Sequence, residues 1–462
     1  MSRTKEDRKS VDLEKCLVAG HLNLSLLKLD NFNVSAKFVI QNEVTSIDFS
    51  SNALDTLPDI SEYVLMRSLN LSFNNLSALP SLPQSLKELN ISHNAFFQCP
   101  VMNTVLTLIA AHNKISDLVF MKNVKKLDVT ENIFSKIPVF DSLTEIAISA
   151  NQITAVKDVT FPELVSLVCD SNSIKTFCMS APKLLYLNLS NNPIQKLDIS
   201  MCNSLKTLIL NNTPASSLLG NLPASLDSLS LQACNLELFP CDILKLSNLR
   251  FLNLSANEII CVSPNYTSLA LEVLDMSLNF LQVFPADHPT LKTLKLGGNC
   301  DLDNIRPNVK YSVDTFPTPP PTRIRKRLHI ASFVSAHHLR YLHDQNITGL
   351  VFVGDEVPTF FEKSNFFTLH VGLNTEEGSQ LLKSLSLIFN FVNEIAKMGN
   401  GVLIICGTGV NKSPVVAAAV LMRFENMRME KAVEEIKGHC PVVDIENGFI
   451  VQLKKLEKSI LK

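Results

Sequence analysis

Residues 184–194 read LLYLNLSNNPI, and this frame, L-x-x-L-x-L-x-x-N-x-L, recurs along the chain. It returns as VTSIDFSSNAL from Val44, MRSLNLSFNNL from Met66, LKELNISHNAF from Leu86, LRFLNLSANEI from Leu249 and LEVLDMSLNFL from Leu271. The asparagine slot is filled at Asn52, Asn74, Asn94, Asn113, Asn132, Asn151, Asn172 and Asn192. It becomes Thr213 and Cys234, then returns at Asn257, Asn279 and Asn299, thirteen repeats in steps of 19 to 23 residues. A period of this length predicts a solenoid in which each repeat buries its apolar face on its neighbours. The L-x-L core predicts a short strand with alternate side chains pointing inward. The asparagine is suited to satisfy backbone groups where the chain leaves the strand. Prolines just past the strand unit (Pro58, Pro80, Pro100, Pro138, Pro240, Pro285) favour irregular return arcs over long helices.

The frame resembles the leucine-rich-repeat family, which implies a parallel sheet on a concave face. Within it Cys99 and Cys169 stand where other repeats carry leucine, and Cys234 fills the asparagine slot, so all three are expected to be structural. His93, His112 and Glu131 share one frame position in successive repeats and are read as exposed polar residues, with no metal site expected. The exposed column between the two core residues includes Asp48, Asn70, Asn90, Ile109, Asp128, Ala147, Val168, Asn188, Ile209, Ser230, Asn253, Asp275 and Lys295. A mixed, mostly neutral column suits a protein partner on the concave repeat face better than a phosphate backbone.

Composition narrows the classes further. The chain has 462 residues, 46% hydrophobic and 19% charged, a globular balance that excludes a disordered or mucin-like protein. A formal net charge of −2 argues against a nucleic-acid partner. Its 14 glycines argue against a fold rich in glycine turns. No stretch approaches the roughly 18 consecutive apolar residues of a transmembrane segment. The charged start MSRTKEDRKS runs into no apolar region, so no export signal is expected. Eleven scattered cysteines then read as free thiols in a reducing compartment. The expectation is cytoplasmic, with the basic run Arg323–Arg327 leaving nuclear import open.

The expected organisation is a charged segment over residues 1–20, a leucine-rich-repeat solenoid over 21–305, a Pro-rich linker over 306–322 and a compact α/β domain over 323–462. The linker holds DTFPTPPPT (Asp314 to Thr322), whose prolines favour an extended spacer. Beyond it, HHLRYLHDQNI predicts a helix and TGLVFVG a buried strand. A helix is expected over Glu376 to Met398, with Leu381, Leu382, Leu385, Ile388 and Phe389 at helical spacing. The apolar strand Gly401–Ile405 then leads through a loop to a helix from about Ser413, a junction whose backbone N–H groups can cradle an anion.

That loop reads Cys406-Gly-Thr-Gly-Val-Asn-Lys-Ser413. A nucleotide-binding loop would need glycines where Cys406 and Asn411 stand. The spacing resembles instead the cysteine-dependent phosphatase loop: Cys, five residues, Arg, Ser/Thr. With Asn346-Ile-Thr-Gly-Leu350, Ala418-Ala-Val-Leu-Met422, Asn447-Gly-Phe449 and Gln452-Leu453, residues Leu328 to Leu456 resemble a dual-specificity phosphatase domain. The resemblance implies Cys406 as nucleophile, Ser413 as the hydroxyl beside it, and phosphate binding by Gly407, Thr408, Gly409, Val410, Asn411 and Lys412, with neither cofactor nor metal.

Two slots depart from the family pattern. Lys412 stands in the guanidinium slot, and an ammonium cannot make the forked contact of arginine. Asn374 stands in the general-acid slot and has no proton to donate. Ile405 replaces the histidine that usually precedes the cysteine. Losing the acid costs about 10²–10⁴ in rate, and losing an electrostatic stabiliser about 10²–10³. Glu376 and Glu377 are the nearest substitutes for the acid, and Lys412 keeps a positive charge. The expectation is an interaction scaffold carrying a pseudophosphatase, not an enzyme, that binds phosphorylated protein segments. The alternative is a divergent active phosphatase targeted by its repeats.

Overall fold

The computed structural model describes residues 11–31, 34–99, 102–118, 121–303, 309–315, 318–354, 361, 365–373 and 380–460. The chain forms two compact units: Met1–Cys234 with Asp242–Phe251, and Asn235–Cys241 with Leu252–Lys462.

In the first unit every repeat contributes one three-residue strand. The strands run from His21–Asn23 through Ser46–Asp48, Lys126–Asp128 and Tyr186–Asn188 to Ser228–Ser230, each parallel to its neighbour. The middle residues stack in register, as Leu167 on Leu187 on Leu208. These leucines are fully buried, and the next inward residue of each repeat (Cys169, Leu189, Leu210) is buried beneath them. The expected repeat frame and its buried cysteines are therefore seen directly.

The asparagines act as cross-braces between repeats. The Asn132 side chain accepts from the Ile115 amide at 2.9 Å and donates to the carbonyls of Ala110, Val129 and Thr130 at 2.9, 3.1 and 3.2 Å. Asn74, Asn113, Asn151 and Asn172 repeat this pattern. Where the slot is Thr213 or Cys234, the side chain donates but offers the upstream amide no acceptor. Those amides turn to their own chain instead, Ile194 to the Asn192 carbonyl at 2.9 Å and Ala215 to the Thr213 carbonyl at 2.8 Å.

Few glycines do not mean few left-handed turns. The residue before the slot is left-handed in twelve repeats, from Ser51 and Phe73 through Asn191 to Leu278, with φ between 51° and 57°. Non-glycine residues hold this conformation at roughly 1–2 kcal/mol each, and their amides bond to the next repeat, as Glu131 to the Ser149 carbonyl and Asn212 to the Gln232 carbonyl at 2.9 Å. In the thirteenth repeat it is Gly298, where a Cβ would lie 2.6 Å from Leu278 Cδ2. His93 and His112 are not simply exposed: their rings stack at 3.9 Å, His93 also stacks on Phe73, and His112 pairs with Glu131 at 2.7 Å.

A second parallel sheet was not anticipated. It consists of Ala155–Thr160, Thr176–Ser180 and Lys196–Asp198, in the return arcs of three successive repeats. Six repeats carry proline six residues past the slot, and these three carry Lys157, Cys178 and Asp198 there. Without proline the backbone N–H is free to join a ladder.

The second unit continues the frame through the parallel strands Val273–Asp275, Thr293–Lys295 and Ser312–Asp314. It then builds a five-stranded sheet in the order Thr322–Arg325, Leu328–Ser332, Gly401–Cys406, Ile347–Val353, Phe367–Val371. Only the first pair is antiparallel. Strands buried on both faces read as unbroken apolar runs. Ile330, Val351, Val353 and Ile404 pack on one face with helices Gln380–Lys397, Lys412–Phe424, Met429–His439 and Asn447–Ile460. Leu350, Phe352, Leu403 and Ile405 pack on the other with Leu342 and Phe361. The expected helix over 337–347 is observed as Leu339–Asp344. In the linker, residues 306–308, 316 and 317 lie outside the described residues. Among the described residues no helix is long and apolar enough to cross a membrane.

His329, in the strand beside Gly401–Cys406, is fully buried, and neither ring nitrogen has a hydrogen-bond partner among the described residues. Burial, with the nearby Arg323 charge, pushes its pKa down to about 4. An unfolded histidine titrates near ~6.5, so between about 6.5 and 4 the unfolded chain binds a proton that the folded chain refuses. Stability from this site is complete above about pH 6.5 and is lost as pH falls through about 4, by about 2 kcal/mol at pH 5. The urea midpoint for unfolding of the second unit, followed by amide exchange over its helices, should fall between pH 7.5 and 5. His329→Phe should flatten that slope, and an equal slope in the variant would refute the assignment.

Candidate active site

The strand Gly401–Cys406 delivers Cys406 to the carboxyl edge of the sheet, and the helix Lys412–Phe424 begins six residues later. Between them the loop curls around the sulfur. The Gly409 amide donates to Cys406 Sγ at 3.2 Å, and Ser413 Oγ lies 3.2 Å from the same sulfur. Cys406 and Ser413 are both buried. This tight curl requires glycine at position 409, where φ is +77° and a Cβ would stand 2.6 Å from the Ser332 amide nitrogen.

Two neighbouring segments pin the loop from outside. The Phe333 amide donates to the Gly407 carbonyl at 3.3 Å. On the other side, the Asp444 amide donates to the Val410 carbonyl at 2.9 Å, and the Glu446 amide to Asn411 Oδ1 at 3.2 Å. The Asn411 side-chain amide returns a bond to the Glu446 carboxylate. Above the loop lies a cleft of about 570 Å³, walled by Phe333, Val334, Phe352 and Val353 with Cys406 and Lys412. Lys412 is half-buried, and among the described residues no carboxylate pairs with it. A thiol backed by a buried hydroxyl, a cation and the first turn of a helix therefore meet at one apolar-walled opening, a setting that suits a small oxyanion.

Most of the residues expected from sequence converge here. Gly407, Thr408, Asn411 and Lys412 border the cleft with Cys406, while Ser413 and Gly409 sit against the sulfur. Val410 instead spends its carbonyl on Asp444. Asn374, Glu376 and Glu377 lie outside the described residues. Ile405 is 1% exposed and belongs both to the second core and to the inner lining of the cleft. Sequence reasoning missed the anchoring pair Asn411–Glu446 and the wall residues Phe333 and Val334. The pair is separated by 35 residues, and the wall follows a strand that only the sheet order places beside Gly401–Cys406.

Comparison with known proteins agrees with the local chemistry. Residues 328–459 match the dual specificity phosphatase catalytic domain. Dual specificity protein phosphatase 1 of Arabidopsis thaliana is 27% identical over 140 residues, covering 30% of this chain and 70% of that protein. A solved leucine rich repeat and phosphatase domain containing protein of Entamoeba histolytica is 37% identical, covering 31% of this chain and 93% of its own, with a TM-score of 0.28. A solved leucine-rich-repeat protein of Leptospira interrogans covers 66% of this chain and 93% of its own at 20% identity, with a TM-score of 0.48. Residues 328–459 form a dual specificity phosphatase domain, carried on a chain whose N-terminal part is a solenoid resembling leucine-rich-repeat proteins.

Proposed function

We propose that the chain is a protein-interaction scaffold whose phosphatase-type domain holds a phosphorylated protein segment without turning it over. The observation that carries this reading is the half-buried Lys412 at the cleft, beside a thiol and hydroxyl that retain their mutual geometry. A compact ammonium attracts a phosphoryl oxygen but cannot grip two at once as charge builds, which a guanidinium does. With asparagine in the acid slot, no proton reaches the leaving oxygen. Binding depends on the loop amides, Lys412 and the helix terminus. Turnover additionally depends on the two replaced groups. The concave repeat face supplies the protein partner, through a column that mixes neutral polar and apolar side chains. Free thiols at all eleven cysteines support a reducing, cytoplasmic setting.

The test uses the full chain with sodium tungstate as a phosphate mimic. At a hundredfold excess over Kd, binding adds about 2.7 kcal/mol to stability, a rise of about 5–10 °C in the melting transition. Tungstate should also slow alkylation of Cys406, while aryl phosphate turnover stays at background. Ordinary turnover abolished by Cys406→Ser would replace this reading with that of a divergent active phosphatase.

A further inference from the structure

The wall of the cleft rests on the last repeats of the solenoid. Phe333 and Val334 line the opening, and the chain then enters a tight turn, Ser335–His337, that is buried throughout. Ser332 Oγ accepts from the Ser335 amide at 3.1 Å and contacts its hydroxyl at 2.8 Å, closing that turn. His337 is 6% exposed and its ring stacks on Phe280, which belongs to the repeat built around Asn279. The centroids are 5.0 Å apart and the planes 28° from parallel. The same imidazole meets Phe333 edge-on at 5.5 Å and Phe361 at 5.8 Å, and Phe361 in turn contacts Phe352 on the opposite wall. Both aromatic walls therefore lean on one ring, and that ring leans on Phe280.

Around this stack the last repeat adds polar contacts. Arg340 pairs with Asp303 through two bonds of 3.0 and 3.3 Å, and its amide donates to Asp301 at 3.1 Å. Cys300 Sγ lies 3.7 Å from the Val334 carbonyl. Both partners of the Arg340–Asp303 pair are more than half exposed, so solvent screens it and its contribution is small. The buried stack is the larger tie.

We infer that Phe280 is a positioning residue for the cleft: a side chain of the repeat solenoid, touching no ligand, that holds Phe333, Val334 and Phe352 at the width an oxyanion requires. This rests on the oxyanion-binding reading above for its ligand, but not for its structural half. Without the ring His337 loses its flat neighbour, the turn loosens and the Phe333 amide no longer stays on Gly407.

The experiment compares full-length wild type with Phe280→Ala, Phe280→Leu and Phe280→Tyr. Two readouts are used: the tungstate Kd by calorimetry, and amide exchange over residues 333–340. Phe280→Ala should weaken tungstate binding about tenfold and speed exchange in that segment. Phe280→Tyr keeps the ring and should stay within about twofold of wild type. Phe280→Leu keeps most of the apolar volume and should resemble Phe280→Ala, which preserves the test if the alanine variant unfolds. A purely structural role would lower the melting point yet leave Kd unchanged in the folded protein, and that result overturns the inference. If wild type binds no tungstate, the oxyanion reading falls by itself. Exchange then decides: protection of 333–340 unchanged in the alanine and leucine variants overturns the inference, and lost protection sustains its structural half.

Discussion

The full chain carrying Lys412→Arg together with Asn374→Asp should hydrolyse a small aryl phosphate at least about 10³-fold faster than the unaltered chain. The expectation rests on what the site keeps. Cys406 Sγ already has Ser413 Oγ and the Gly409 amide at 3.2 Å. The loop is tied to Phe333 on one side and to Asp444 and Glu446 on the other. Lys412 borders a cleft of about 570 Å³, which leaves space for a guanidinium to reach the same opening. Each group acts on a different part of the transition state, arginine on the equatorial oxygens and the acid on the leaving oxygen. Either single substitution should therefore recover far less than the pair, because effects within one catalytic unit are not additive.

Adding Ile405→His should not improve the pair. Position 405 lies between the second core and the cleft lining at 1% exposure, where an imidazole would lose the packing of isoleucine. Adding Cys406→Ser should abolish whatever activity the pair recovers. A folded double variant that binds tungstate but shows no cysteine-dependent turnover would mean that more than these two groups is missing, and would sink the account of the impairment.

The repeat made most of the solenoid legible, because a strand of three residues needs only its own L-x-L and the slot asparagine to be recognised. The return arcs were less so. Proline marks an arc that cannot pair, but Lys157, Cys178 and Asp198 merely permit pairing, and a permissive residue leaves no mark of its own. The left-handed residues were hidden for a similar reason. Phe73, His93 and Leu278 are poor residues for that conformation, and their amides are held there by the carbonyls of Ser92, Ala111 and Gly297 in the next repeat. At the cleft, the chemistry was readable because Cys406 to Ser413 is contiguous. Its walls were not, since Phe333 and Phe352 reach the opening only through the order of the strands.

Asn132→Ala should destabilise the first unit by about 2–4 kcal/mol. The side chain is 6% exposed and makes four bonds to backbone groups of its own and the preceding repeat. Alanine would leave the Ile115 amide buried without its partner, at about 1–3 kcal/mol if water fails to reach it, while the Ala110 and Val129 carbonyls keep the Asn113 and Asn151 side chains as donors. Because repeats are stabilised by their neighbours, the loss should spread beyond one turn of the solenoid.

Thr213 and Cys234 show how the chain tolerates other residues in this slot. Thr213 Oγ1 donates to the Leu210 carbonyl at 2.6 Å, and Cys234 Sγ reaches the same carbonyl at 3.0 Å. Neither accepts the upstream amide, but there the local backbone has turned Ile194 and Ala215 inward to carbonyls of their own repeat. Ile115 has no such turn, so Asn132→Thr should restore a donor without an acceptor and recover about half of the loss. The order wild type, threonine, alanine in urea midpoint is the expected result. If Asn132→Ala lies within about 1 kcal/mol of wild type, the braces are not what holds the repeats together, and burial of the leucine stack must carry that role alone.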